Sequence, residues 1–203
     1  MNILLMGKKA KTKSKRKITT SSTGRKIVHA REIAEIKAAL KDLENPDRKV
    51  KLDALHRLAG RRWLGVSLRE QRVMMGSVFK KYLKSKDIEL VALAVTGLGT
   101  IREKRAFNAV IAKIATGNRR LKLNVLETLR HIKEIKAVRP VIAYGLAEKP
   151  GSDIAQRAEL TLITLMGVNR EAVIRGLTNW GLRSRNEWVR TNSEKILKEF
   201  HAL

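Results

Sequence analysis

The 203-residue chain contains no cysteine, three prolines and only 4% aromatic residues. Without cysteine there are no disulfides and no thiolate zinc sites, and an intracellular protein is favoured. With so few aromatics, a core must be built from Leu, Ile, Val and Ala, and the scarcity of proline suits long helical arrays. Clean alternation of β-branched or aromatic residues with polar ones is missing, so strands are not expected. No apolar run is long enough to span a bilayer. Asn2–Met6 is too short for a signal-peptide core, and a start at Met6 would place Lys11 where a myristoylation signal has Ser or Thr. Acid is scarce as well.

What the chain has instead is positive charge: 44 Lys and Arg against 19 Asp and Glu, a net +25. Residues 1–26 hold nine of the cations and no acid, so +16 remains on residues 27–203. Self-repulsion of this size opposes compaction, and its use is a polyanionic partner: DNA, RNA or, less well, an acidic membrane surface. Residues 1–26 are Lys-rich and nearly free of large apolar groups after Met6. They are expected to form a disordered arm that orders on a polyanion, leaving residues 27–203 as the folded domain.

Within that domain, Asp87–Arg102 sets the pattern. Asp87 is an N-cap, and Leu90, Val91, Ala94, Leu98 and Ile101 form one apolar face. Gly97 and Gly99 are expected to bring the helix end close to its neighbours and then stop it. Leu90, Leu121 and Ile154 occupy equivalent positions 31 and 33 residues apart, and Leu98, Leu129, Leu162 and Ile101, Ile132, Leu165 repeat those spacings. Further helices are expected at Ile27–Leu43, from Val50 to Gly60, after the capping box Ser67–Glu70, and over Ala106–Ile114, Ala137–Leu146, Glu171–Trp180 and Asn186–His201. A period of two helices in 31 to 35 residues predicts an all-α solenoid.

These residues resemble HEAT repeats, in particular the short kind of bilin-lyase-like proteins. Ala137–Leu146 (AVRPVIAYGL), with Pro140, is similar to the first helix of such a repeat, and DIELVALAVTGLG to the second. The resemblance covers roughly residues 27–203 and implies a right-handed α-solenoid of about five two-helix repeats. The first unit departs from the pattern, because Val50 and Leu90 are 40 residues apart, so Arg61–Gly65 is expected in an enlarged loop.

Enzyme signatures are mostly absent. HEAT-like hydroxylases place iron on His-Glu pairs, but none of His29, His56, His131 and His201 precedes Glu. No His pair stands at i, i+4, no phosphate-binding Gly loop is present, and no cofactor or metal is expected. HEAT-like alkylpurine DNA glycosylases use Trp and Asp in a basic cleft; Trp63, Trp180, Trp188 and Asp153 are present without a local pattern matching that family. Trp180 and Trp188 are expected to pack at the C-terminal cap. Trp63, after Arg61 and Arg62, suits either stacking on a base or packing on the core.

Charge placement carries more. On a projection of Arg119–Lys133, the cations Arg119, Lys122, Arg130 and Lys133 form a stripe beside the apolar face. Basic residues also recur where each second helix begins: Arg48 and Lys49, Lys84 and Lys86, Arg119 and Arg120, Lys149, Arg183 and Arg185. Cations oppose the macrodipole there, so stability is not expected to explain them, whereas a ladder of phosphate contacts would. Arg190, and the arm cations Lys8, Lys9, Lys11, Lys13, Lys15, Arg16, Lys17, Arg25 and Lys26, complete the candidate surface. The expectation is a non-enzymatic binder of DNA or structured RNA, cytoplasmic or associated with nucleoid or ribosome. The alternatives are a protein–protein adaptor and a glycosylase-like enzyme.

Overall fold

A computed structural model describes residues 22–200, which are helical with no strand among them. Two long helices, α1 (Ser22–Asp42) and α2 (Arg48–Gly60), pack together and lead to α3 (Leu68–Tyr82) and α4 (Ile88–Thr100). A 3-10 turn, Lys104–Ala106, opens the short α5 (Phe107–Ile111), which packs on α6 (Arg119–Ile132). Then α7 (Val138–Pro140) follows a 3-10 turn at Ile135–Ala137 and runs into a π turn, Val141–Gly145. The long α8 (Asp153–Gly176) ends in a second π turn, Leu177–Gly181, and α9 (Glu187–Glu199) closes the described chain.

Local chemistry sets most boundaries. Asp47, Asp87, Asn118, Ser152 and Asn186 cap the starts of α2, α4, α6, α8 and α9, each accepting a backbone N–H. Ser67 and Glu70 form the capping box of α3 in both directions. Asn169 breaks α8, with φ −154° and ψ 95°, and its side chain accepts the Ala172 N–H at 2.9 Å. It therefore acts as an internal N-cap, and α8 is two helices joined without a loop.

Packing runs in series: α2 lies on α4, α4 on α6, and α6 on α8. The equivalent residues Leu98, Leu129 and Leu162 are fully buried along this line, as are Ile101, Ile132 and Leu165. Threonines tie successive helices of this series. Thr100 Oγ1 reaches the Ala59 carbonyl at 2.9 Å, Thr128 Oγ1 that of Val95 at 2.9 Å and Thr161 Oγ1 that of Leu126 at 3.1 Å. For the buried Thr128 this bond satisfies the hydroxyl, while Thr100 and Thr161 share theirs with the carbonyls of Thr96 and Arg157 in their own helices.

Two expectations need correction. The first helix starts at Ser22, so Arg25 and Lys26, placed with the arm, stand on α1. Gly97 and Gly99 lie inside α4 and do not stop it. Their role is close approach, since a Cβ on Gly97 would land on the Phe79 ring and one on Gly99 would meet Thr128. The stop is a Schellman motif: Arg102 adopts φ 50°, its N–H reaches the Gly99 carbonyl, and the Glu103 N–H reaches Leu98, both at 2.9 Å. No helix among the described residues is long and apolar enough to cross a membrane.

Candidate nucleic-acid interface

The series of packed helices has two edges. At one, α2, α4, α6 and α8 begin. At the other, α2, α4 and α6 end.

The edge of helix starts carries the expected ladder, but much of it is engaged within the protein. Arg48 reaches Asp87 at 2.5 Å and Glu89 at 2.6 Å. Arg119 grips Asp153 with two nitrogens, at 2.5 and 3.3 Å, and Arg120 lies 3.6 Å from Glu89. Lys122 reaches Glu148 at 2.6 Å. The Arg48 guanidinium holds the Asp87 carboxyl below its ordinary value despite partial burial. The acids involved sit at caps and first turns, where the macrodipole favours them. Ion pairing between neighbouring helices thus explains Arg48, Arg119 and Arg120, against the expectation that stability does not. Lys49, Lys84, Lys86, Lys149, Arg183 and Arg185 are exposed here with no ion pair among the described residues.

The stripe on α6 is similarly occupied. Arg130 is 2.8 Å from Glu127, which Arg157 also reaches at 2.5 Å. Burial pushes the Glu127 carboxyl up, and the two guanidiniums outweigh it and hold it down. Of the four stripe residues, Lys133 alone has no ion pair among the described residues. Asp153, the glycosylase candidate, serves Arg119 and the Ile154 N–H. Trp63 has no open face for a base: it is 3% exposed, donates its indole N–H to the Leu58 carbonyl, and carries the Arg61 guanidinium 4.8 Å above its ring. Arg61 also pairs with Glu35, and Arg190 donates to the carbonyls of Ser184 and Arg185. Lys8 through Lys17 lie outside the described residues.

The edge of helix ends is different. A groove of about 620 Å³ is lined by Arg69, Arg72, Val73, Gly76, Ser77 and Lys80 of α3 and by Arg102–Arg105. Six cations face it, with one carboxylate, Glu103. Glu103 is 7% exposed and points inward: one oxygen accepts the Arg105 N–H at 3.0 Å, the other lies 3.9 Å from Lys80. Arg72 is anchored on the Ile101 carbonyl at 2.9 Å, and Lys104 lies 3.4 Å from Glu134. Arg69, Arg102 and Arg105 have no ion pair among the described residues. Arg102 also lines an adjoining groove with Arg61, Arg62, Leu64 and His131. Burial, and then the fields of Arg130, Arg102 and Arg62, hold the His131 imidazole below its ordinary value, although Glu127 is 3.4 Å from its Nε2.

Two backbone details mark this edge. Arg102 and Lys133 occupy the left-handed positions that end α4 and α6, with φ 50° and 56°. Glycine is the low-strain residue there; an L side chain costs about 1 kcal/mol. A cation stands at both.

The chain matches no protein-family model and no curated protein. Among solved structures it is similar to a crystal structure of an engineered protein, at 16% identity and a TM-score of 0.50, over 80% of this chain and 78% of that one. That likeness concerns the helical fold alone.

Arg69, Arg72, Lys80, Lys104 and Arg105 were not singled out in the sequence. The signal was present: Arg69, Arg72, Val73, Gly76 and Lys80 fall at i, i+3, i+4, i+7 and i+11, one face of α3.

Proposed function

We propose that the chain is a non-enzymatic nucleic-acid-binding protein that holds phosphates of DNA or structured RNA in the groove at the edge of helix ends. Its frame is read as a right-handed α-solenoid of about five two-helix HEAT-like repeats, α1–α2 being the first and the second half of α8 with α9 the last. The single observation that carries the reading is the convergence of six Lys and Arg on one open groove whose only carboxylate is turned inward.

The physics favours an outside anion. The dipole favours Arg102 at the end of α4 and Lys80 near the end of α3, but opposes Arg69 and Arg72 in the first turns of α3. Their mutual repulsion remains, and a phosphodiester chain relieves it while releasing condensed counterions. Such contacts position a nucleic acid without reading its sequence. The Lys-rich segment holding Lys8, Lys9, Lys11, Lys13, Lys15, Arg16 and Lys17 adds phosphate contacts beyond the groove.

The test is Arg69→Glu combined with Arg105→Glu, two exposed side chains that support no helix contact. Fluorescence anisotropy on duplex DNA and on structured RNA across a salt series should show affinity lower by roughly 100-fold, and a salt slope shallower by about 2. Unchanged affinity and slope, with native helicity by circular dichroism, would remove the groove from the mechanism.

A further inference from the structure

A second surface lies on the two π turns near the end of the chain, Val141–Gly145 and Leu177–Gly181, which pack against each other. Their sequences, VIAYG and LTNWG, align so that an aromatic residue is followed by glycine in each. The wider hydrogen bonds, Leu146 N–H to Val141 at 3.2 Å and Leu182 N–H to Leu177 at 2.9 Å, close both turns. The glycines face inward: a Cβ on Gly145 would lie 2.6 Å from the Ala158 Cβ, and one on Gly181 would strike Ser193. The aromatics face outward. Tyr144 is 44% exposed and Trp180 is 46% exposed, whereas Trp63 and Phe79 are buried. Neither Trp180 nor Trp188, which is 45% exposed, therefore forms the packed cap expected of it.

Around Trp180 is a shallow cavity of about 270 Å³, shared with Arg139, Ile142, Asn179 and Arg183, and no acid lines it. The Arg139 guanidinium lies 5.5 Å from the Trp180 ring centroid. Arg183 has no ion pair among the described residues. Gly176 allows close approach to α7, since a Cβ there would lie 2.6 Å from Val138, and the indole edge of Trp180 borders the same spot at 3.4 Å. A flat, π-rich surface with two arginines and no carboxylate suits a flat aromatic group carrying a phosphate.

We propose that Trp180 and Tyr144 are stacking platforms for unpaired nucleobases, one on each turn, with Arg139 and Arg183 taking the adjoining phosphates. The planar guanidinium of Arg139 occupies the stacking position in the free protein. A base displaces it from the ring and frees it for the phosphate. This rests on the nucleic-acid reading above and adds to it: the strand reaching this end is held single-stranded.

The experiment compares a short oligothymidylate strand with a strand of equal length that carries no bases, in a Trp188→Phe background. Trp63, buried, then supplies a constant signal. The oligothymidylate should quench Trp180 emission and bind tighter than the base-free strand by roughly 5- to 150-fold for each stacked base. Trp180→Ala with Tyr144→Ala should abolish that difference, and Trp180→Phe should keep most of it. Equal binding of both strands with steep salt dependence would overturn the platforms and leave the groove standing. Absence of binding by either strand would also overturn the platforms, and the groove then stands or falls on the duplex DNA and structured RNA titrations.

Discussion

At the edge of helix starts, Arg48 and Arg119 hand their charge to Asp87, Glu89 and Asp153; at the edge of helix ends, Arg62, Arg69, Arg102 and Arg105 form no side-chain ion pair among the described residues. Both edges are rich in Lys and Arg, so composition does not separate them. The caps do. A helix start needs an acceptor for its free N–H groups, and Asp and Glu there bring negative charge with them. Arg48, Arg119, Arg120 and Lys122 find partners there inside the protein, whereas Lys49, Lys84, Lys86 and Lys149 have no ion pair among the described residues. At the other edge Arg102 and Lys133 stand at the ends of α4 and α6, and the acids Glu70 and Glu103 belong to the starts of α3 and of the turn after α4. Arginine charge at the starts of α2 and α6 is therefore spent in joining helices. Around the end of α4, three arginines stay available to solvent.

The same reversal made at both edges gives the sharpest contrast. Arg69→Glu with Arg105→Glu should reduce affinity roughly 100-fold and leave the melting temperature near native. Arg119→Glu with Arg120→Glu should change affinity much less and lower the melting temperature, because each new carboxylate faces an existing one. If the second pair costs as much affinity as the first, the edges are equivalent and the comparison fails.

A smaller effect should appear at the left-handed cation. Arg102→Gly relieves backbone strain and should raise stability by about 0.5–1 kcal/mol in urea unfolding, while weakening nucleic-acid binding roughly 5- to 10-fold through loss of one contact. A variant that gains stability and keeps its affinity would make Arg102 a mere helix stop. At the opposite edge, Arg119→Ala should cost no more than about 1 kcal/mol, the range of an exposed ion pair.

The mildest effect is in pH. His131 is held below its ordinary value of 6.5 in the free protein, by burial first and by neighbouring guanidiniums next. The unfolded chain takes up a proton more readily, so stability should decline as pH falls through 6.5. A bound polyanion offsets the guanidinium fields and raises the imidazole's proton affinity. Binding should then tighten as pH falls across the same window, and His131→Gln should flatten that part of the profile.

Much of this was legible in the sequence. The spacing of Leu98, Leu129 and Leu162 located the buried line, and Asp87, Ser67 and Asn186 marked helix starts correctly. Charge was harder to read, because a cation's availability depends on an acid supplied by another unit. Arg48 and Asp87 are 39 residues apart, and Arg119 and Asp153 are 34 apart. Projection of one helix shows neither pair. Trp63 was ambiguous for the same reason: Leu58 and Arg61 decide its burial, and the loop bends back onto α2. The outward turn of Tyr144 and Trp180 follows from π turns, whose wider hydrogen bonds leave little trace in hydrophobic periodicity.

The threonine bonds from Thr100, Thr128 and Thr161 have a mechanical consequence. Each joins a helix only to its predecessor in the packed series α2, α4, α6 and α8. Tension along the stack is thus met junction by junction, and the loss of one tie leaves those beyond it intact. A molecule fastened this way can bend to follow a long ligand, sharing the curvature among several small joints instead of concentrating it at a single hinge.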